Sequence, residues 1–190
     1  MQIPHDTSRN RLRRRAAALL LAAGACTVGG AGADAQTLSE SQLRARFVLN
    51  FIRFTEWPEH TFAAPDAPLN VCVLGVADPF DGALDALQGA LAGQHHIAIR
   101  GSVGAEQAGD CHLLFAPDSE LRRLQSARDA IGRRAVLIVG ESEAVLDRGG
   151  MIALRNVGRH LSFVVKMGAV RDTALNFSPQ MLHAAAEVLP

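Results

Sequence analysis

Apolar positions first recur at helical spacing behind Ser39. Leu43, Phe47, Phe51 and Phe54 return every three or four positions, with Val48 and Ile52 beside them. Arg44, Arg46 and Arg53 take the other faces. Ser39 and Gln42 have the spacing of a capping box. The pattern predicts an amphipathic helix of about fifteen residues. It should stop before Trp57-Pro58, because the residue preceding a proline is pushed out of the helical region. The apolar face is expected to be core, the alternative being that part of it docks a partner or a second subunit.

The pattern then shifts to short apolar runs separated by helical segments. Leu69–Val76 is continuous and suits a strand buried on both faces. Asp78-Pro79 reads as an N-cap with proline at the first helical position. It opens a predicted helix Phe80–Leu91, with Phe80, Leu84, Leu87 and Leu91 on one face. His95–Arg100 alternates as a shorter strand, and Cys111–Phe115 is the third. Pro117-Asp118 starts a helix with Leu121, Leu124 and Ile131 facing inward. Ala135–Val139 is the fourth strand, and Glu141–Arg148 a short helix closed by Gly149-Gly150. Met151–Arg155 and Leu161–Lys166 form a hairpin around Asn156–His160. Ser178-Pro179 opens a last helix, Gln180–Leu189. Strands alternating with helices predict an α/β, Rossmann-like fold. Its mainly parallel sheet is flanked by helices, with a C-terminal hairpin supplying antiparallel edge strands and then a final helix.

Charge changes the picture at the N-terminus. Arg9, Arg11, Arg13, Arg14 and Arg15 precede an apolar run from Ala16 to about Ala25, and Ala33-Asp34-Ala35 follows. Basic region, short apolar region and A-x-A site are the order of a secretory signal. Residues 1–35 are therefore expected to be a cleaved signal peptide, and residues 36–190 a single exported domain. Without the leader's five arginines and two aspartates, 14 basic and 17 acidic residues remain, a net of −3. A mildly acidic domain has no basic excess to neutralise phosphates, which disfavours nucleic-acid binding.

Export also gives the two remaining cysteines, Cys72 and Cys111, an oxidising surrounding. Each lies in a predicted strand. If the strands are neighbours in a parallel sheet, the two can come within bridging distance. The alternative is a pair of buried thiols packed as small hydrophobes.

No motif for catalysis emerges. The turn after the first strand, Gly75-Val76-Ala77-Asp78-Pro79, carries neither dinucleotide nor P-loop glycines, and Asp78 there would repel a phosphate. There is no G-x-S-x-G elbow. Cys111-His112 and His95-His96 are adjacent pairs whose members point to opposite faces of a strand, unsuited to acting as a catalytic pair or a chelate. Asp78, Asp81, Glu141 and Glu143 stand at strand C-terminal ends, where α/β folds place active sites, but helix capping accounts for the aspartates. Trp57 is read as partly buried packing. No catalytic residue, metal site or cofactor is expected.

The helix end Asn50-Phe51-Ile52-Arg53-Phe54-Thr55-Glu56-Trp57-Pro58 resembles the N-F-x-x-F-x-x-W-P signature of the YfiR family. Asn70-Val71-Cys72-Val73-Leu74-Gly75, Asp110-Cys111-His112-Leu113-Leu114-Phe115, Gly149-Gly150-Met151-Ile152 and Leu175-Asn176-Phe177-Ser178-Pro179 fit the same family. The resemblance implies a periplasmic, non-enzymatic α/β domain that tends to dimerise. It implies a regulator that binds the periplasmic domain of an inner-membrane diguanylate cyclase and holds it inactive. An outer-membrane lipoprotein sequesters such repressors, and the outcome sets cyclic-di-GMP and biofilm formation. Cys72 and Cys111 then correspond to the family disulfide, while the later cysteine pair of some members has no counterpart here. The partner-binding residues stay unknown at this level. The alternative function is a periplasmic small-molecule sensor feeding a membrane histidine kinase. Its crevice would lie at the strand ends near Gly75–Asp78, Pro117 and Glu141.

Overall fold

A computed structural model describes residues 38–158 and 160–190. The expected signal peptide lies outside the described residues. Among the described residues no helix is long and apolar enough to cross a membrane.

Helix α1, Glu40–Arg53, begins with the expected capping box: Ser39 accepts from the Gln42 N–H, and the Gln42 side chain accepts from that of Ser39. Strands β1 (Thr55–Glu56), β2 (Leu69–Leu74), β3 (Leu91–Ala92), β4 (His95–Val103) and β5 (Leu113–Ala116) follow. Helix α2 (Leu124–Ile131) leads to β6 (Leu137–Gly140), β7 (Ile152–Val157) and β8 (His160–Lys166). Helix α3 (Met167–Arg171), β9 (Asn176–Phe177), helix α4 (Pro179–Ala184) and β10 (Glu187–Leu189) end the chain.

Eight strands form one sheet in the order β10-β8-β7-β6-β5-β2-β4-β3, and β1 pairs with β9 separately. Strands β4, β2, β5, β6 and β7 run parallel. The fold is the predicted Rossmann-like α/β arrangement. Alternation sorts its strands into two cores. Val71, Val73, Leu113, Phe115, Leu137 and Val139 face α1, while Cys72, Leu74, Leu114, Ala116 and Ile138 face α2. The α1 face also holds a phenylalanine cluster, with Phe51 and Phe163 edge-to-face at 4.9 Å and Phe80 and Phe115 at 4.7 Å.

Five expectations are corrected, the last at Phe54. Phe80–Leu91 is not an α-helix. Gly82 is left-handed at φ 78°, Asp81 at φ 48°, and only a 3₁₀ segment, Ala83–Leu87, forms. Asp78 caps this turn, accepting the N–H groups of Phe80 (2.9 Å) and Gly82 (2.7 Å). Glu141–Arg148 likewise winds only as a 3₁₀ segment, Glu143–Arg148, capped by Ser142 and ended by Gly149. The last helix stops at Ala184, and Glu187–Leu189 instead pairs parallel with β8. That pairing satisfies backbone groups that β8 would otherwise leave open. The β7–β8 hairpin forms in the expected antiparallel register, but β10 and β3, not the hairpin, are the edges.

The buried stripe of α1 is Ala45, Val48, Phe51 and Ile52. Phe54, assigned to that stripe from spacing, caps the helix end and is 39% exposed.

Candidate functional site

The signature at the end of α1 builds a cleft. Thr55 turns the chain inward, its hydroxyl donating to the Phe51 carbonyl at 2.7 Å. β1 then pairs with β9, and the Ser178 N–H donates to the Phe54 carbonyl at 2.9 Å. Pinned in this way, Trp57 faces the segment 58–68 across a cavity of about 710 Å³. Ile52, Trp57, Phe62 and Leu69 supply its apolar walls, and Arg53, Glu56, Glu59, Gln94 and His95 its polar ones. The Trp57 indole N–H is buried and has no hydrogen-bond partner among the described residues. Beside the cleft stand two exposed apolar side chains, Phe54 and Leu91, the latter 55% exposed. Arg53 reaches the Leu91 carbonyl at 3.4 Å and ties the two elements together. The cleft and its rim offer apolar contact surrounded by charge, the composition of a recognition surface.

Its outer wall is held by stacked rings. Phe62 lies between His95, at 3.6 Å between centroids, and His112, at 4.7 Å. His95 bonds the Ala67 carbonyl at 2.8 Å, and His112 Nδ1 accepts the Asn70 N–H at 2.9 Å. Burial holds the His112 ring below the usual imidazole range; the Thr61 backbone opposes this and the nearby His95 adds to it. His96 takes no part and bonds Gly89 on the other side of the strand.

The crevice expected at the strand C-terminal ends is filled by the protein itself. Arg44 of α1 reaches Glu141 at 2.8 Å, Glu40 at 2.7 Å and the Pro79 carbonyl at 3.3 Å. Burial works against its charge, but the two carboxylates more than offset that and raise its proton affinity. Glu141 also accepts the Asp118 N–H at 3.2 Å, and Ser142 donates to Asp118 at 2.8 Å. Gly75 at φ 82° lets the buried Glu120 side chain lie against it, and Glu120 pairs with Arg123 at 3.0 Å. Of the acidic residues read as candidate strand-end chemistry, Asp78 caps its turn, Asp81 accepts from the Ser41 hydroxyl, and Glu141 and Glu143 pair with Arg44 and Arg155.

Cys72 and Cys111 form a disulfide, their Cα atoms 6.0 Å apart. The bond links the middle of β2 to the residues entering β5, its neighbour in the sheet.

Trp57 was legible as part of a motif but not as a cleft wall. The His95–Phe62–His112 stack carries no mark in local spacing, because its rings come from β4, the 58–68 loop and the entrance to β5. The proline-flanked loop between Pro58 and Pro68, facing two strand-borne histidines, was the available signal.

The family model described as YfiR/HmsC-like matches residues 41–186. No curated protein matches the chain. Among solved structures, a conserved domain protein from Vibrio cholerae aligns at TM-score 0.53 with 10% identity, covering 80% of this chain and 60% of that one. The ABC domain in complex with L-Trp from Streptococcus pneumoniae aligns at TM-score 0.50 with 8% identity, over 78% of this chain and 60% of that one. The chain thus spans about 60% of the length of these structures, and the likeness is one of fold.

Proposed function

Because the chain belongs to the YfiR/HmsC-like family, a family of periplasmic regulators of cyclic-di-GMP signalling and not of catalysts, we propose that it represses a membrane diguanylate cyclase. The observation that carries this reading is the family signature folded into the Trp57 cleft, flanked by exposed Phe54 and Leu91. This rim engages the periplasmic part of the cyclase. Repression is a population shift: the regulator binds the inactive cyclase better than the active one. An outer-membrane lipoprotein competes for the regulator and releases the cyclase, and the regulator works as a homodimer. The Cys72–Cys111 disulfide fits an oxidising compartment.

The test is capture from detergent-solubilised membranes with the oxidised mature domain. Wild type should recover a cyclase, and Leu91→Glu, at an exposed rim position, should lose it while keeping its melting temperature. Recovery of no cyclase by wild type, or equal recovery by Leu91→Glu, counts against the reading.

A second reading follows from the same cleft. A cavity of about 710 Å³ with Ile52, Trp57, Phe62 and Leu69 as apolar walls and Gln94 and His95 among its polar groups suits a small ligand, making the domain a sensor that feeds a membrane histidine kinase. A ligand at 100 times its dissociation constant should add about 2.7 kcal/mol of stability. A thermal-shift screen of small metabolites in which nothing stabilises the domain removes this reading.

A further inference from the structure

His112 stands at the entrance to β5 and ties that strand to two others. Its Nδ1 accepts the Asn70 N–H of β2 at 2.9 Å. A nitrogen that accepts carries a lone pair and no proton, so the ring is the neutral Nε2–H tautomer. Through Phe62 its face stacks toward His95 on β4, the ring planes within 13° of parallel. The segment it touches serves two cavities. Phe62 and the residues after it wall the Trp57 cleft, while His60, Thr61 and His112 border a second cavity of about 760 Å³. A proton on Nδ1 would remove the acceptor and set one N–H against another.

We propose that His112 is a proton-operated latch on the wall of the Trp57 cleft. On acidification its ring charges, the bond to Asn70 breaks, and the ring swings away from β2, carrying with it the segment 58–68 stacked on it through Phe62 and reshaping the cleft.

The surrounding charges set the direction. His95 lies beyond Phe62 and disfavours a second cation. His60, Asp110, Arg133 and Arg134 line the second cavity together with His112. Attraction of an imidazolium for the Phe62 face and for the Thr61 backbone favours charge. Burial outweighs these and keeps the proton affinity below the ordinary value of 6.5. The latch therefore stays closed near neutrality and releases on the acid side. The inference concerns the same cleft as the proposed function and holds whichever partner the cleft serves, so its test needs no partner.

Trp57 is the only tryptophan and the chain has no tyrosine, so intrinsic emission reports the cleft alone. In the oxidised mature domain, Trp57 emission should show a transition between about pH 7.5 and 5, its midpoint below 6.5. His112→Asn keeps an acceptor near the Nδ1 position without titrating, and should abolish the transition. His95→Gln removes the neighbouring charge and should keep the transition while moving its midpoint up. If His112→Asn does not fold, proton NMR of the wild-type domain decides: the His112 ring and the Trp57 indole N–H should shift with one common midpoint. Flat wild-type emission, a transition that persists in folded His112→Asn, or separate midpoints for ring and indole would overturn the proposal.

Discussion

Arg44 and Glu141 meet at 2.8 Å across the C-terminal ends of the strands, joining residues 97 apart in sequence. Both side chains are largely shielded, at 20% and 28% exposure, whereas the second partner of Arg44, Glu40, is 61% exposed. Removing Glu141 leaves the shielded guanidinium only the exposed Glu40 and the Pro79 carbonyl, and takes the acceptor from the Asp118 N–H. Glu141→Ala should cost about 1–3 kcal/mol in urea denaturation, and Glu40→Ala less than about 1 kcal/mol. Equal losses would show that the inner pair carries no special weight.

The disulfide encloses a loop with a sequence separation of 39. Loop-closure entropy assigns such a bridge about 3.9 kcal/mol. In a domain of this size that corresponds to roughly 8–16 °C. Cys72→Ser, or wild type under reductant, should melt lower by that order in scanning calorimetry. An unchanged melting temperature would remove the staple role.

Phe51 and Phe54 lie one turn apart on α1 and should behave oppositely. Phe51 is 1% exposed and touches Phe47 and Phe163, so Phe51→Ala should cost about 3–5 kcal/mol. Phe54 is 39% exposed, and Phe54→Ala should leave stability within about 1 kcal/mol while weakening membrane capture. A severe folding loss from Phe54→Ala would show that its role is packing.

Gly140 ends β6 where Val145 crosses it. A Cβ there would sit 2.3 Å from the Val145 Cβ. Gly140→Ala should destabilise by about 1–3 kcal/mol, the usual cost of overpacking, measured by chemical denaturation.

His112 also makes stability depend on pH. Its folded proton affinity lies below the ordinary 6.5, so the unfolded chain binds this proton first as pH falls. Stability from this group is complete above about 6.5 and declines as pH drops toward the lowered folded value. The melting temperature of wild type should fall across that window, and that of His112→Asn should fall less. Parallel pH profiles for the two proteins would contradict the assignment.

The central strands are readable because they are buried on both faces, and continuous apolar runs such as Leu113–Ala116 and Leu137–Val139 have few other solutions. Two cysteines on neighbouring strands left a bridge and a pair of buried thiols both open; the family resemblance implied the bridge, and the structure shows it. Phe80–Leu91 misled because its apolar spacing is real: Phe80, Leu84 and Leu87 are all buried. Asp78 bonding and three positive-φ residues, Asp81, Gly82 and Gly89, decide the backbone there, which periodicity does not register. The end of the chain misled for a tertiary reason, since Glu187–Leu189 becomes a strand only because β8 offers it an edge. The Trp57 cleft draws on α1, the 58–68 loop and the β3–β4 turn, three segments with no local mark of their meeting.

The bridge between Cys72 and Cys111 also encircles β3, β4 and the turns between them. A protease that nicks any peptide bond inside that ring leaves both products covalently attached. The clipped species should therefore migrate as one band on a non-reducing gel and separate into two only after thiol treatment.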